Sequence, residues 1–138
     1  MATSAQDHIE ITRLMYRYAR CADHKDYEGF DEVFCEDAVF EYLGEPVSGL
    51  PAIRGMMLAL EKYSVTQHRV SNVLYDVVKD VAVGETYCLA SHLREDETGT
   101  VNIEMGITYR DELRRTDQGW RIARRAFDLL WTRTGPVD

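Results

Sequence analysis

The hydrophobic period of the chain changes once, at about Ser64, and that change limits the folds open to it. Before it, Ile11, Leu14, Met15, Tyr18, Cys21 and Ala22 recur at spacings of three and four. That is one apolar stripe on an α-helix, predicted over about residues 5–24. After it, apolar and polar residues alternate through four stretches, 66–78, 81–94, 100–114 and 119–133, as half-buried β-strands do. The breaks between them, "KD", "EDETG" and "RTDQG", suit antiparallel hairpins. In the first half, Asp26 can cap a second, shorter helix carrying Phe30, Val33 and Phe34. "DAVFEYLGEPVSG" reads as a short strand pair broken by Gly44 and Pro46. Pro51 fits the first turn of a third helix, "PAIRGMMLALEKY", with Ile53, Met57 and Leu60 on one side. Helices followed by an antiparallel meander predict an α+β domain, one domain over 1–138, with helices packed on one face of a curled, mainly antiparallel sheet.

Composition narrows the function. The net charge is −8, whereas a nucleic-acid binder normally shows a basic patch, so no nucleic-acid role is expected. Cys21, Cys35 and Cys88 are odd in number and lack CxxC spacing, which fits a reduced, cytoplasmic setting. "MATSAQDHIE" has no apolar h-region, so it is not read as a signal peptide. No apolar run approaches the ~20 residues needed to cross a bilayer, and no membrane role is expected.

A few polar residues fall on rows that should face inward. In "RIARRAFDLLW", Ala123, Arg125, Phe127, Leu129 and Trp131 share a face, so Arg125 stands on an apolar row. Buried arginine requires a carboxylate, a carbonyl or a ligand. Parity places His68 with Val70, Asn72 and Leu74, and His92 with Thr86, Cys88 and Ala90, whose small side chains leave room for a cavity. Tyr18 lies within the stripe of the first helix, and Asp23 stands where that helix runs out. Each has a plainer reading alone: Asp23 as a helix terminator, Tyr18 as core, Arg125 in a structural ion pair, His68 and His92 as core or solvated side chains. No HExxH, GxSxG, Walker loop or GxGxxG is present, and His8, His24, His68 and His92 show no ligand-like spacing. Neither a metal nor an organic cofactor is expected.

"IEITRLMYRYARCADHKDYEGFDEVFCEDAVFEY" resembles the opening of SnoaL-like proteins in the nuclear-transport-factor-like superfamily. The resemblance continues through the Pro-started helix, "QHRVSN" and "GWRIARRAF". It implies a cone-shaped α+β barrel, three N-terminal helices on a strongly curved sheet that encloses a pocket. The residue pattern is similar to that of scytalone dehydratase, bile acid 7α-dehydratase and hexachlorocyclohexane dehydrochlorinase, cofactor-free lyases that use an Asp–His dyad. Their aspartate ends the first long helix, matching Asp23, and their histidine matches His68. Tyr18 resembles a tyrosine of the bile acid enzyme, Arg125 an arginine on the last strand, and His92 a second histidine of scytalone dehydratase.

The resemblance implies general-base chemistry. Asp23 would orient His68, His68 would remove a proton, and Tyr18, His92 and Arg125 would stabilise an oxyanion or protonate a departing hydroxyl. Tyr42, Met56, Met57, Leu60, Met105, Phe127 and Trp131 are the expected lining of an apolar pocket for a small cyclic or aromatic molecule. Elimination leads, with isomerisation or cyclisation by the same dyad and non-catalytic small-molecule binding as alternatives. A homodimer or homotrimer is expected from the resemblance.

Overall fold

The computed structural model describes residues 2–138. The first helix, α1 (Ala5–Asp23), starts at Ser4, whose Oγ accepts the Asp7 amide at 3.0 Å and donates to the Asp7 carboxylate at 2.9 Å. A 3-10 turn, Glu28–Glu32, leads into β1 (Phe34–Tyr42) and β2 (Glu45–Ser48). Then come α2 (Leu50–Met57), a second 3-10 turn (Leu58–Lys62), and four long strands: β3 (Val65–Val78), β4 (Val81–Asp96), β5 (Gly99–Thr116) and β6 (Gly119–Pro136). All six strands form one open sheet in the order β2-β1-β6-β5-β4-β3. β1 runs parallel to β6, and the other neighbours are antiparallel. Among the described residues, no helix is long and apolar enough to cross a membrane.

The apolar stripe of α1 closes the concave face of the sheet. Ile11, Leu14, Met15, Tyr18, Cys21 and Ala22 are all buried, and the helix lies mainly against β3. The expected second helix is only the 3-10 turn, with Asp26 accepting the Gly29 amide at 3.0 Å. Phe34 belongs instead to β1, where it pairs with Ile122. The expected third helix is α-helical only to Met57 and tightens to 3-10 geometry beyond it. Pro51 does sit in its first turn.

Bulges alter strand parity, because each extra residue flips the side chains beyond it to the other face, and one in β3 and one in β6 bear on the cavity. In β3 the register shifts between Val70 and Val73. Thr66, His68 and Val70 therefore share the inner face with Val73 and Tyr75, while Leu74 is 73% exposed. In β6, Ile107 pairs with Leu129 but Gly106 with Trp131, so Leu130 is the extra residue. Trp131 consequently lies on the outer face over Gly106, where a Cβ would overlap its ring.

The start of α1 is tied to the last hairpin. The Asp7 carboxylate accepts Arg115 Nη1 at 2.9 Å and Trp120 Nε1 at 3.1 Å, and the Arg115 guanidinium stacks on Trp120. The hydrogen bond from Arg115 holds the Asp7 carboxyl below its usual range despite partial burial. A carboxyl depressed on folding contributes stability above the unfolded value near 3.9, and that stability is lost as pH falls through the lower folded value. Thermal melts should show Asp7→Asn less stable than the parent at pH 7, with the gap closing below about pH 4. A gap independent of pH would show that the Asp7 charge contributes nothing.

Candidate functional site

The concave face leaves a cavity of about 140 Å³ between α1, α2 and the sheet. A larger open cleft of about 700 Å³ lies elsewhere, beside Arg54, Arg114 and Arg121. There Arg54 pairs with Asp31 and Arg114 with Asp37, and no histidine enters its wall. The smaller cavity holds the candidate chemistry.

Asp23 is the last residue of α1, an unfavourable place for a carboxylate because the helix C-terminus carries partial negative charge. It is held there by β3. Oδ1 accepts the Thr66 hydroxyl at 3.0 Å and His68 Nδ1 at 2.7 Å, and Oδ2 accepts the His68 amide at 3.0 Å. Burial alone would raise the Asp23 carboxyl, but these donors outweigh it and hold the group below its usual range. An ionised carboxylate only accepts, so His68 Nδ1 carries the proton of this hydrogen bond, and in the neutral ring Nε2 keeps its lone pair. The His68 side chain is 6% exposed and forms part of the cavity wall. Asp23 thus serves neither as a cap nor as a solvated turn residue.

His92 shares the cavity wall, with its ring 5.5 Å from that of His68 and 4.9 Å from that of Tyr63. Its Nδ1 lies 3.2 Å from the Ile103 carbonyl, which can only accept, so this nitrogen is the protonated one. Burial and the neighbouring His68 push its pKa down to about 4. His92 is therefore neutral near pH 7 and, with Nδ1 committed to Ile103, offers Nε2 as an acceptor rather than as the donor expected from the sequence. A histidine depressed on folding favours the unfolded state as pH falls from about 6.5 toward that value. An NMR titration should find the His92 midpoint near 4; a midpoint at the ordinary histidine value would overturn the neutral assignment.

Tyr18 also lines the cavity, with its ring edge-on to His68 at 6.5 Å and to Tyr109 at 5.4 Å. Burial raises its phenol pKa, so it is a neutral hydroxyl at pH 7. Arg125 points inward and Arg124 outward toward Glu41, as parity requires. Yet Arg125 is not part of the cavity wall. It is fully buried, its Nε and Nη2 bond Asp111 at 2.8 and 2.7 Å, and it stacks on Tyr18 and Tyr109 at 4.3 and 4.0 Å. The Tyr75 hydroxyl donates to the same Asp111 at 2.6 Å and accepts from Thr86 at 2.8 Å. Arg125 thus acts on the cavity only through the two tyrosines above it.

Tyr42, Met56, Met57, Leu60, Met105 and Phe127 line the cavity as expected. Trp131 does not: the β6 bulge turns it to the outer face, where it is 47% exposed. Asn72 and Leu74 likewise leave the His68 row at the β3 bulge. Thr66, Asp111, Tyr63 and Tyr109 were not singled out from the sequence. Two were within reach: Thr66 precedes His68 by one alternation, and Asp111 continues the row of Tyr109. Among the described residues, no group of three or more His, Cys, Asp or Glu side chains is arranged to hold a metal ion.

An open curved sheet closed by helices over an acid–histidine pair defines an α+β pocket protein of the nuclear-transport-factor-like type. The chain belongs to the SnoaL-like domain family, whose model matches residues 3–126. An uncharacterized protein of Mycobacterium tuberculosis (strain ATCC 25618 / H37Rv) is 30% identical over 122 residues, covering 86% of this chain and 82% of its own. Among solved structures, a scytalone dehydratase candidate from Novosphingobium aromaticivorans is 23% identical, covering 96% of this chain and 89% of its own, with a TM-score of 0.84. A type 2 hexachlorocyclohexane dehydrochlorinase is 17% identical, covering 96% and 94%, with a TM-score of 0.82. At these identities the two structures speak for the fold.

Proposed function

We propose that the protein is a cofactor-independent lyase, a dehydratase in type, acting on a small cyclic substrate. The observation that carries this reading is the 2.7 Å contact between Asp23 and His68 Nδ1, with the His68 ring at the wall of an apolar cavity. Asp23 fixes the tautomer of His68 and leaves Nε2 to take a proton from the carbon next to a carbonyl or a leaving group. The neutral phenol of Tyr18 is placed to stabilise the developing oxyanion or to protonate the departing hydroxyl. The names of the two structural neighbours, a dehydratase candidate and a dehydrochlorinase, support elimination as the reaction type.

Isomerisation begins with the same proton abstraction and is favoured by the second phenol, Tyr109, in the cavity wall. Product mass separates the two. Incubation with cyclic hydroxy-ketones should yield a product lighter by one water. Unchanged mass with deuterium taken up from heavy water would assign isomerisation, and no turnover across the series would count against both.

A further inference from the structure

Of lysine, arginine, aspartate and glutamate, the cavity wall contains one side chain, Lys62, the last residue of the second 3-10 turn. Its ammonium stands 5.2 Å from the centroid of the Tyr63 ring, which in turn packs 4.9 Å from His92. Its neighbours are engaged: Lys25 donates to the Tyr63 carbonyl at 2.8 Å and lies 3.8 Å from Glu61, and Glu61 accepts the Tyr27 hydroxyl at 2.8 Å. Among the described residues, Lys62 makes no ion pair or hydrogen bond of its own. In a chain of net charge −8, an exposed cation without a carboxylate at the rim of an apolar cavity is a place for an anion brought by the ligand. Deeper in the wall, His92 Nε2 offers an acceptor, because Nδ1 is committed to Ile103. The cavity volume of about 140 Å³ sets the size. An apolar protein cavity of roughly 150 Å³ holds one benzene, so the enclosed space is sized for one six-membered ring.

We infer that the ligand is a hydroxylated single-ring carboxylate: the ring in the cavity, its hydroxyl donating to His92 Nε2, and its carboxylate held at the rim by Lys62. The Lys62 ammonium and the centre of the His92 ring are no farther apart than the Lys62–Tyr63 and Tyr63–His92 spans laid end to end, a separation within reach of a para-substituted ring and its two hydrogen bonds. The inference rests on the cavity being the substrate site, not on the dyad being catalytic.

The test titrates the full chain by two-dimensional NMR with three probes, 4-hydroxybenzoate, benzoate and phenol, at millimolar concentration. Shifts of cavity amides should follow the order 4-hydroxybenzoate, then benzoate and phenol. Lys62→Met should weaken both carboxylates about fivefold and leave phenol unchanged, and Lys62→Glu should weaken them further. Added salt should weaken the carboxylates in the parent only. Equal affinity of all three probes, an effect of Lys62→Met on phenol as large as on the acids, or no shift of cavity amides would each overturn the inference. The same titration in His68→Ala separates this claim from catalysis: the preference for carboxylates should persist there even though turnover is lost.

Discussion

Asp23→Asn is expected to cut turnover by about two orders of magnitude or more while leaving the fold intact. Asparagine keeps the shape and one acceptor, so Thr66 and the His68 amide retain a partner. The charge that those donors stabilise against burial is lost, however, and the amide nitrogen can present a donor to His68 Nδ1. A His68 ring facing a donor places its proton on Nε2, the nitrogen that must be bare to act as base. His68→Ala should lose ~10²–10⁴-fold, the usual contribution of a positioned base. Both variants should still unfold in one cooperative transition, somewhat below the melting temperature of the parent, because each gives up hydrogen bonds between Asp23 and β3. An Asp23→Asn protein with full activity would return Asp23 to a merely structural role.

The second large effect concerns stability. Asp111→Leu should destabilise the protein by about 3–5 kcal/mol, because it leaves the fully buried Arg125 charge without its carboxylate. The Arg125 guanidinium retains the faces of Tyr18 and Tyr109, cation–π contacts worth about 2 kcal/mol or more when desolvated, but neither ring supplies the countercharge of the lost carboxylate. Arg125→Met should cost a comparable amount by stranding Asp111 on the Tyr75 hydroxyl alone. The double variant, apolar at both positions, should recover much of the loss, since a buried pair replaced as a unit is often nearly neutral. Urea unfolding of the three variants measures this. Additive losses would mean that the two residues act independently, contrary to the paired geometry.

Much of this arrangement was legible in the sequence, and the exceptions have definite causes. Asp23 and His68 announce themselves through residue type at an element end and on an inward row, and the fold brings them within hydrogen-bond distance. Arg125 announces its burial through parity, but parity says nothing about which carboxylate meets it. Asp111 lies across the β5–β6 ladder in direct register with Arg125, a pairing that only the hairpin register reveals. The failures cluster at bulges. Trp131 and Leu74 follow the alternation perfectly and still face outward, because a single extra residue upstream inverts the rule. Tyr75, a polar core residue, was hidden by the same β3 bulge that exposed Leu74. The 3-10 turns at Glu28–Glu32 and Leu58–Lys62 escaped because five residues cannot display a helical period. Cavity volume follows from how α1 and α2 seat on the sheet, and no local pattern encodes it.

The central claim is that Asp23 and His68 act as one base, and a double-mutant cycle on turnover tests it most directly. Asp23→Asn, His68→Ala and the double variant are assayed on one substrate, with thermal melts establishing that all three are folded. The account predicts that the double variant is scarcely slower than His68→Ala alone, because an orienting carboxylate has nothing left to orient once the base is gone. Losses that multiply, each substitution slowing the reaction by the same factor whether or not the other is present, would contradict it.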